Sequence, residues 1–209
     1  WKIEKNINKK KFKINCYNFY KIKTLKRINL LFDQKIIDDD IKYINGYKTF
    51  KIFEILKKIN WNMLSNGIPS NFHGDFQPEN IIINNKKITL IDWREDFGGN
   101  EKIGDIYYDL AKLEHALFVN GEIIRNKKYS VKIIKNKVFY TISQKKNLQI
   151  FRKHFHKYIK SRKYNLEKVK ILSALIYLNI APLHEYPYNE FLFYHGKLSL
   201  MKLINGEHQ

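Results

Sequence analysis

The stretch from Asn71 to Asp92 constrains this chain more than any other. It opens with His73-Gly74-Asp75-Phe76-Gln77-Pro78-Glu79-Asn80 and continues as three isoleucines, Ile81 to Ile83. A polar turn follows (Asn84 to Lys87), then a second apolar run ending Ile91-Asp92-Trp93. Short, β-branched runs bounded by Asn and Lys favour strands over helix, so the stretch reads as a loop, a β-hairpin and a carboxylate on either side. In a hairpin centred near Lys86, facing residues have numbers that sum to about 172, and Asn80 and Asp92 are such a pair. Cross-strand Cβ atoms lie roughly 4.5–5.5 Å apart, close enough for two side-chain oxygens to share a cation. Asp75, five residues before Asn80, sits on the loop at the same end.

A few oxygen ligands suit Mg²⁺ held jointly with substrate phosphates. Asp-x₄-Asn, followed after a strand by a metal-binding Asp, is the spacing of the kinase catalytic loop. Here Gly74 stands in place of Arg, and Ile91-Asp92-Trp93 in place of Asp-Phe-Gly. Together with Gly104-Asp105-Ile106-Tyr107-Tyr108-Asp109-Leu110-Ala111, these residues resemble the aminoglycoside phosphotransferase and choline kinase superfamily. The three motifs come in the family's order; His-Gly-Asp alone would be a weak signal.

The resemblance implies phosphoryl transfer from ATP, or another nucleoside triphosphate, to a hydroxyl of a small molecule such as a sugar or amino alcohol, with Mg²⁺. Asp75 would be the catalytic base, and Asn80 and Asp92 the metal residues. His73 would brace the loop, and Asp105 would both cap its helix and keep Asp75 oriented. Glu79 and Glu95 lie near enough to touch a substrate, solvation being the plainer reading. Trp93 is expected to pack under the metal loop. The substrate pocket is expected among helices after Gly104, with His115, Tyr177, His184, Glu185, Tyr186 and Tyr188 as candidates. Aromatics with a Glu could cage a quaternary amine or stack on a sugar.

The chain is long enough to bury a real core. Its lone cysteine, Cys16, fits a reducing compartment and is expected to be incidental packing. The net charge of +19 spreads over all segments in a Lys-, Ile- and Asn-rich composition. Solvated faces explain it better than nucleic-acid binding, though it favours anionic ligands and weighs against polycationic ones. The longest apolar stretch, Ile171 to Leu183, contains Asn179 and Pro182 and is too short to span a bilayer. A soluble cytoplasmic protein without membrane contact is expected.

Along the chain, residues 1–24 read as a basic, weakly patterned lead-in, the end of a missing N-terminal lobe or a linker. Helices are expected around Leu25 to Phe32, from Thr49 to about Ile59, and at Trp61 to Leu64, with a turn at Ile44 to Tyr47. Gly104-Asp105 begins another helix, with Ile106, Leu110, Leu113 and Leu117 as its stripe. Val131 to Ile134 and Val138 to Ile142 read as a second, exposed hairpin. The remainder is helical: an amphipathic face from Leu148 to Ile159, a buried helix at Ile171 to Ile180, and a last helix from Phe191 to Ile204. The expected class is α+β, mostly helical, with residues 25–209 as the C-terminal lobe of a kinase-like fold. Neither a Gly-rich hairpin nor a strand Lys is legible before residue 70. The chain is therefore expected to be the C-terminal part of a longer enzyme, the missing lobe lying upstream rather than on another polypeptide. On that reading residues 1–209 would bind Mg·ATP weakly and turn over nothing at a useful rate. The rival from another class is a kinase-like binding module without turnover; the complete set Asp75, Asn80 and Asp92 speaks against it.

Overall fold

In the computed structural model, which describes residues 1–207, the chain begins with one nearly continuous helical run. α1 (Lys9–Tyr17) passes through a π-turn (Asn18–Ile22) into α2 (Lys23–Asp33). The widened turn brings Phe19 and Tyr20 into the core beside Phe12 and Cys16. The boundary expected at residue 24 thus falls inside a helix, and the lead-in belongs to the same core as the rest. Its pattern is faint because α1 buries only Phe12 and Cys16, set among lysines and asparagines. Burial, then the nearby Asp105 carboxylate, pushes the Cys16 thiol far above its ordinary range, so it packs as an inert apolar group.

Next come β1 (Tyr43–Ile44), β2 (Tyr47–Lys48), α3 (Ile52–Lys57), α4 (Trp61–Ser65) and β3 (Pro69–Ser70). Asn45 and Gly46, both at positive φ, make the two-residue turn of a hairpin where the sequence suggested only a turn. α3 is shorter than expected because the chain is still extended at Lys51. β4 (Ile81–Asn84) and β5 (Lys87–Leu90) form the anticipated hairpin, and β6 (Gly104–Asp105) leads into α5 (Ile106–Phe118). α6 (Gly121–Arg125), β7 (Tyr129–Ile134), β8 (Lys137–Ile142), α7 (Lys146–Ser161), α8 (Leu166–Ile180) and α9 (Tyr188–Ile204) complete the described residues. No helix among them is long and apolar enough to cross a membrane.

Three small sheets decorate this helical body, giving an α+β class consistent with a kinase-like fold. The largest has the order β2-β1-β8-β7, with β1 parallel to β8 and Ile44 opposite Val138. The second hairpin, β7–β8, is therefore anchored through β1 rather than free. β3 pairs with β6 antiparallel, and β4 with β5. α5 is buried on nearly every face, not along one stripe, since it lies against both α7 and α8. Its polar residues must consequently find partners inside the protein.

Glu114 of α5 illustrates this. It accepts from Arg152 Nε at 2.8 Å and Nη2 at 2.6 Å, and from His156 Nε2 at 2.8 Å, both on α7. Burial alone would raise its pKa, but the two partners outweigh burial and hold it below the ordinary glutamate value. A depressed folded-state value contributes stability above the unfolded value, and that stability is lost as pH falls through the folded one. Glu114→Gln should cost on the order of 2 kcal/mol at neutral pH. The gap to the unsubstituted protein should begin to narrow as pH falls below the ordinary glutamate value and close only below the depressed one. Urea midpoints measured from pH 7 to 3 check this; parallel curves over the whole range would contradict it.

Candidate active site

The pairing of β3 with β6, Ser70 opposite Gly104, sets the loop after β3 against the first turns of α5. α5 then presents Asp105, Asp109 and Lys112 at i, i+4 and i+7, one above another on a single face. Each has a different task.

Asp105, fully buried, caps α5 by accepting from Tyr107 N at 3.2 Å. It also accepts from Ile68 N at 2.9 Å and Tyr20 Oη at 2.8 Å, with Lys168 Nζ at 3.5 Å. These contacts tie α5 to the N-terminal helix and to the segment before the loop. Asp105 makes no hydrogen bond to the loop His73–Asp75 itself. That bond comes from Asp109, which accepts from His73 N at 2.8 Å, Gly74 N at 2.7 Å and the Trp1 indole at 2.5 Å. Burial lifts the Asp109 pKa above the ordinary range despite these donors.

Gly74 is required where it stands. Its φ is +80°, and a Cβ there would meet Arg94 Cβ at 2.3 Å. Arg94 N donates to His73 O at 2.8 Å, which fastens the segment after β5 to the loop. His73 is buried; its Nδ1 accepts from Asp75 N at 3.2 Å and its ring lies 4.8 Å from that of Trp93. Trp93 itself is half exposed, its Nε1 donating to Leu90 O at 3.1 Å.

The Asp75 carboxylate is held by three donors. Lys112 Nζ lies 2.5 Å from Oδ1, while Asn80 Nδ2 and Gln77 Nε2 reach Oδ2 at 3.1 and 3.2 Å. Asn80 Nδ2 also donates to Asp75 O at 2.9 Å, so the amide nitrogen of Asn80 faces the loop. The hairpin turns through Asn85 and Lys86, both at positive φ, and its facing residues sum to 171. The register therefore differs by one from expectation, because a two-residue turn closes between Asn84 and Lys87. Asn80 O accepts from Ile91 N at 3.1 Å, and Asp92 follows as an exposed carboxylate in the left-handed region, φ +58°.

Asp75 and Asp92 line one cavity of about 360 Å³ with Phe19, Lys23, Arg27 and Lys112, its further walls coming from Arg94 and α8. None of the six pocket candidates lines it. His115 and Tyr177 are buried and pack on each other at 4.4 Å, and His184 packs on Tyr188 at 4.8 Å. Tyr186 and Glu185 are exposed. The wall is instead supplied by the N-terminal run and α8, which bring their own apolar and basic residues. Glu79 accepts from Gly121 N at 2.8 Å, at the start of α6, while Glu95 is exposed.

Asp109 and Lys112 are the residues that the sequence reading overlooked. Their signal was present: charges spaced i, i+4, i+7 from Asp105 along a largely apolar helix.

A loop carboxylate held by an ammonium and two side-chain amides thus stands beside an Asn, with a second Asp after a hairpin lining the same cavity. Residues 41–122 match the phosphotransferase enzyme family. The matched segment holds Asp75, Asn80, Asp92, Asp105, Asp109 and Lys112. Lys23, Arg27 and α8 lie outside it. No curated protein and no solved structure matches the chain.

Proposed function

We propose that the protein is an ATP-dependent phosphotransferase acting on a hydroxyl of a small molecule, built on the C-terminal lobe of a kinase-like fold. The observation that carries this is Asp75: an immobilised carboxylate opening onto a cavity sized for a small ligand. Two carboxylates and an amide oxygen, all hard donors, suit Mg²⁺ shared with phosphates better than a dedicated protein cage. Asp92, exposed at the end of the hairpin, and Asn80 would hold it. Bound there, the ion would neutralise charge on the nucleotide phosphates.

The chain's own part is positioning. Asp75 accepts the proton of the substrate hydroxyl, or orients that hydroxyl. Asp109 fixes the loop backbone so that Asp75 is aimed before substrate arrives. Lys112, in contact with Asp75, places a positive charge where negative charge gathers during transfer.

The test is transfer of label from γ-labelled ATP by the full-length protein. It should require Mg²⁺, stop when the metal is chelated, and fall at least 100-fold in Asp92→Asn, a change that tolerates the left-handed backbone. Label transfer that persists in chelator would sink the metal role.

A further inference from the structure

The cavity over Asp75 has an unbalanced charge. Lys23, Arg27, Arg94 and Lys112 line it, against the carboxylates of Asp75 and Asp92, and Asp75 is already paired with Lys112. Lys23 and Arg27 lie one turn apart on α2, hence on one face. The Lys23 ammonium stands 4.3 Å from the centre of the Phe19 ring and the Arg94 guanidinium 5.4 Å from it, so both cations converge on one aromatic side chain. They also feel one another. Burial, then Arg94, Arg27 and Lys112, lower the Lys23 pKa to about 8.

A general excess of lysine explains solvated cations, not ones gathered in a cavity around a candidate catalytic carboxylate. Gathered like charges are unfavourable until a counter-charge arrives. A cationic acceptor would add to the repulsion, and a neutral one would leave it in place. An anion bound between Lys23 and Arg27 removes it, with Arg offering paired donors to phosphate or carboxylate oxygens.

The nucleotide phosphates are one source of such an anion and the acceptor is the other. The position favours the acceptor. Asp92 to Arg94 close the cavity on the hairpin side, where the metal residues lie, while α2, α5 and α8 form the rest. α8 contributes an apolar wall of Leu172, Leu175, Ile176 and Ile180, against which a short carbon skeleton can rest.

We propose, given the phosphotransferase reading, that the acceptor is a small anionic alcohol. Its phosphate or carboxylate is held by Lys23 and Arg27, and its free hydroxyl is turned to Asp75. In the transfer step the hydroxyl oxygen bonds to the γ-phosphorus of ATP and the bond from that phosphorus to the β-bridging oxygen breaks. The hydroxyl proton passes to Asp75, and ADP leaves with the bridging electrons. The product carries two anionic groups.

The test uses matched probes, glycerol 3-phosphate against glycerol and ribose 5-phosphate against ribose, with choline as the cation. Binding is measured by calorimetry at low ionic strength. At least one phosphorylated probe should bind tenfold or more tightly than its neutral partner and than choline, and inorganic phosphate should compete with it. In the double variant Lys23→Gln/Arg27→Gln that preference should fall at least tenfold, with Mg·ATP affinity unchanged and an unchanged melting temperature attesting the fold. Absence of any preference for the anionic probes overturns the proposal. So does a loss confined to Mg·ATP, which would assign the cations to the nucleotide. Label transfer separates the two readings: transfer only to neutral or cationic alcohols defeats the anionic acceptor and leaves the phosphotransferase standing. Anion binding sensitive to Lys23 and Arg27, without any transfer, does the reverse.

Discussion

Asp75→Asn is expected to lower phosphoryl transfer by the full-length protein about 10²–10⁴-fold while nucleotide affinity changes little. The amide keeps the shape but cannot take up the hydroxyl proton. It also disturbs the immediate surroundings. Three donors face the two carboxylate oxygens: Lys112 on one, Asn80 and Gln77 on the other. An Asn side chain has one oxygen, so its NH₂ must confront either the ammonium or the two amides. The loop backbone should nevertheless stay in place, because Asp109 holds it through His73 N and Gly74 N, independently of the carboxylate. Steady-state kinetics and nucleotide titration on the same preparation check the split between rate and affinity. Turnover close to normal would show that Asp75 is not the base.

The largest expected effect on stability lies at Asp105. Asp105→Ala removes the acceptor for Ile68 N, Tyr107 N and Tyr20 Oη. It also deprives the buried Lys168 ammonium of its carboxylate, leaving it Asn66 O at 2.9 Å and the face of the Tyr107 ring at 4.1 Å. Stranding a buried charge costs about 3–5 kcal/mol, a fall in melting temperature on the order of 10 °C for a chain of this size. Scanning calorimetry or urea unfolding measures it. A fall under about 2 °C would mean that these donors find other partners and that Asp105 is not the keystone its contacts suggest. The functional roles of the two aspartates on α5 thus divide: Asp105 assembles the frame, and Asp109 aims the loop.

How far the sequence carried the structure can be judged at particular residues. The hairpin at Ile81 to Leu90 was legible because two β-branched runs flank a polar turn. Its register slipped by one because the sequence does not state whether two or three residues form the turn. The convergence of Asp75 and Asp92 on one cavity followed from motif spacing. The cavity's other wall did not, since Lys23 and Arg27 come to line it through the packing of α2 against α8. Phe12, Cys16, Phe19 and Tyr20 stand at i, i+4, i+7 and i+8, a narrow helical stripe that went unread among the lysines and asparagines around it. His115 and Tyr177 pack on each other away from this cavity, and polar aromatics look alike in a sequence whether they face a ligand or each other.

The parallel pairing of β1 with β8 has a consequence for anyone who would trim this protein. The family-matching segment ends at residue 122, yet Ile44 inside it is covered by Val138 beyond it. α5 likewise lies against α7 and α8, and Asp105 is tied to Tyr20, far upstream. Excising residues 41–122 would bare an apolar helix on several sides and cut strands from their neighbours. Homology and autonomy have different borders here. The motif-bearing piece is the portion legible in the letters, but its burial draws on elements from the first helix to the last. That long-range closure also predisposes the chain to slow, late assembly, since residues nearly a hundred positions apart must meet before the sheet exists.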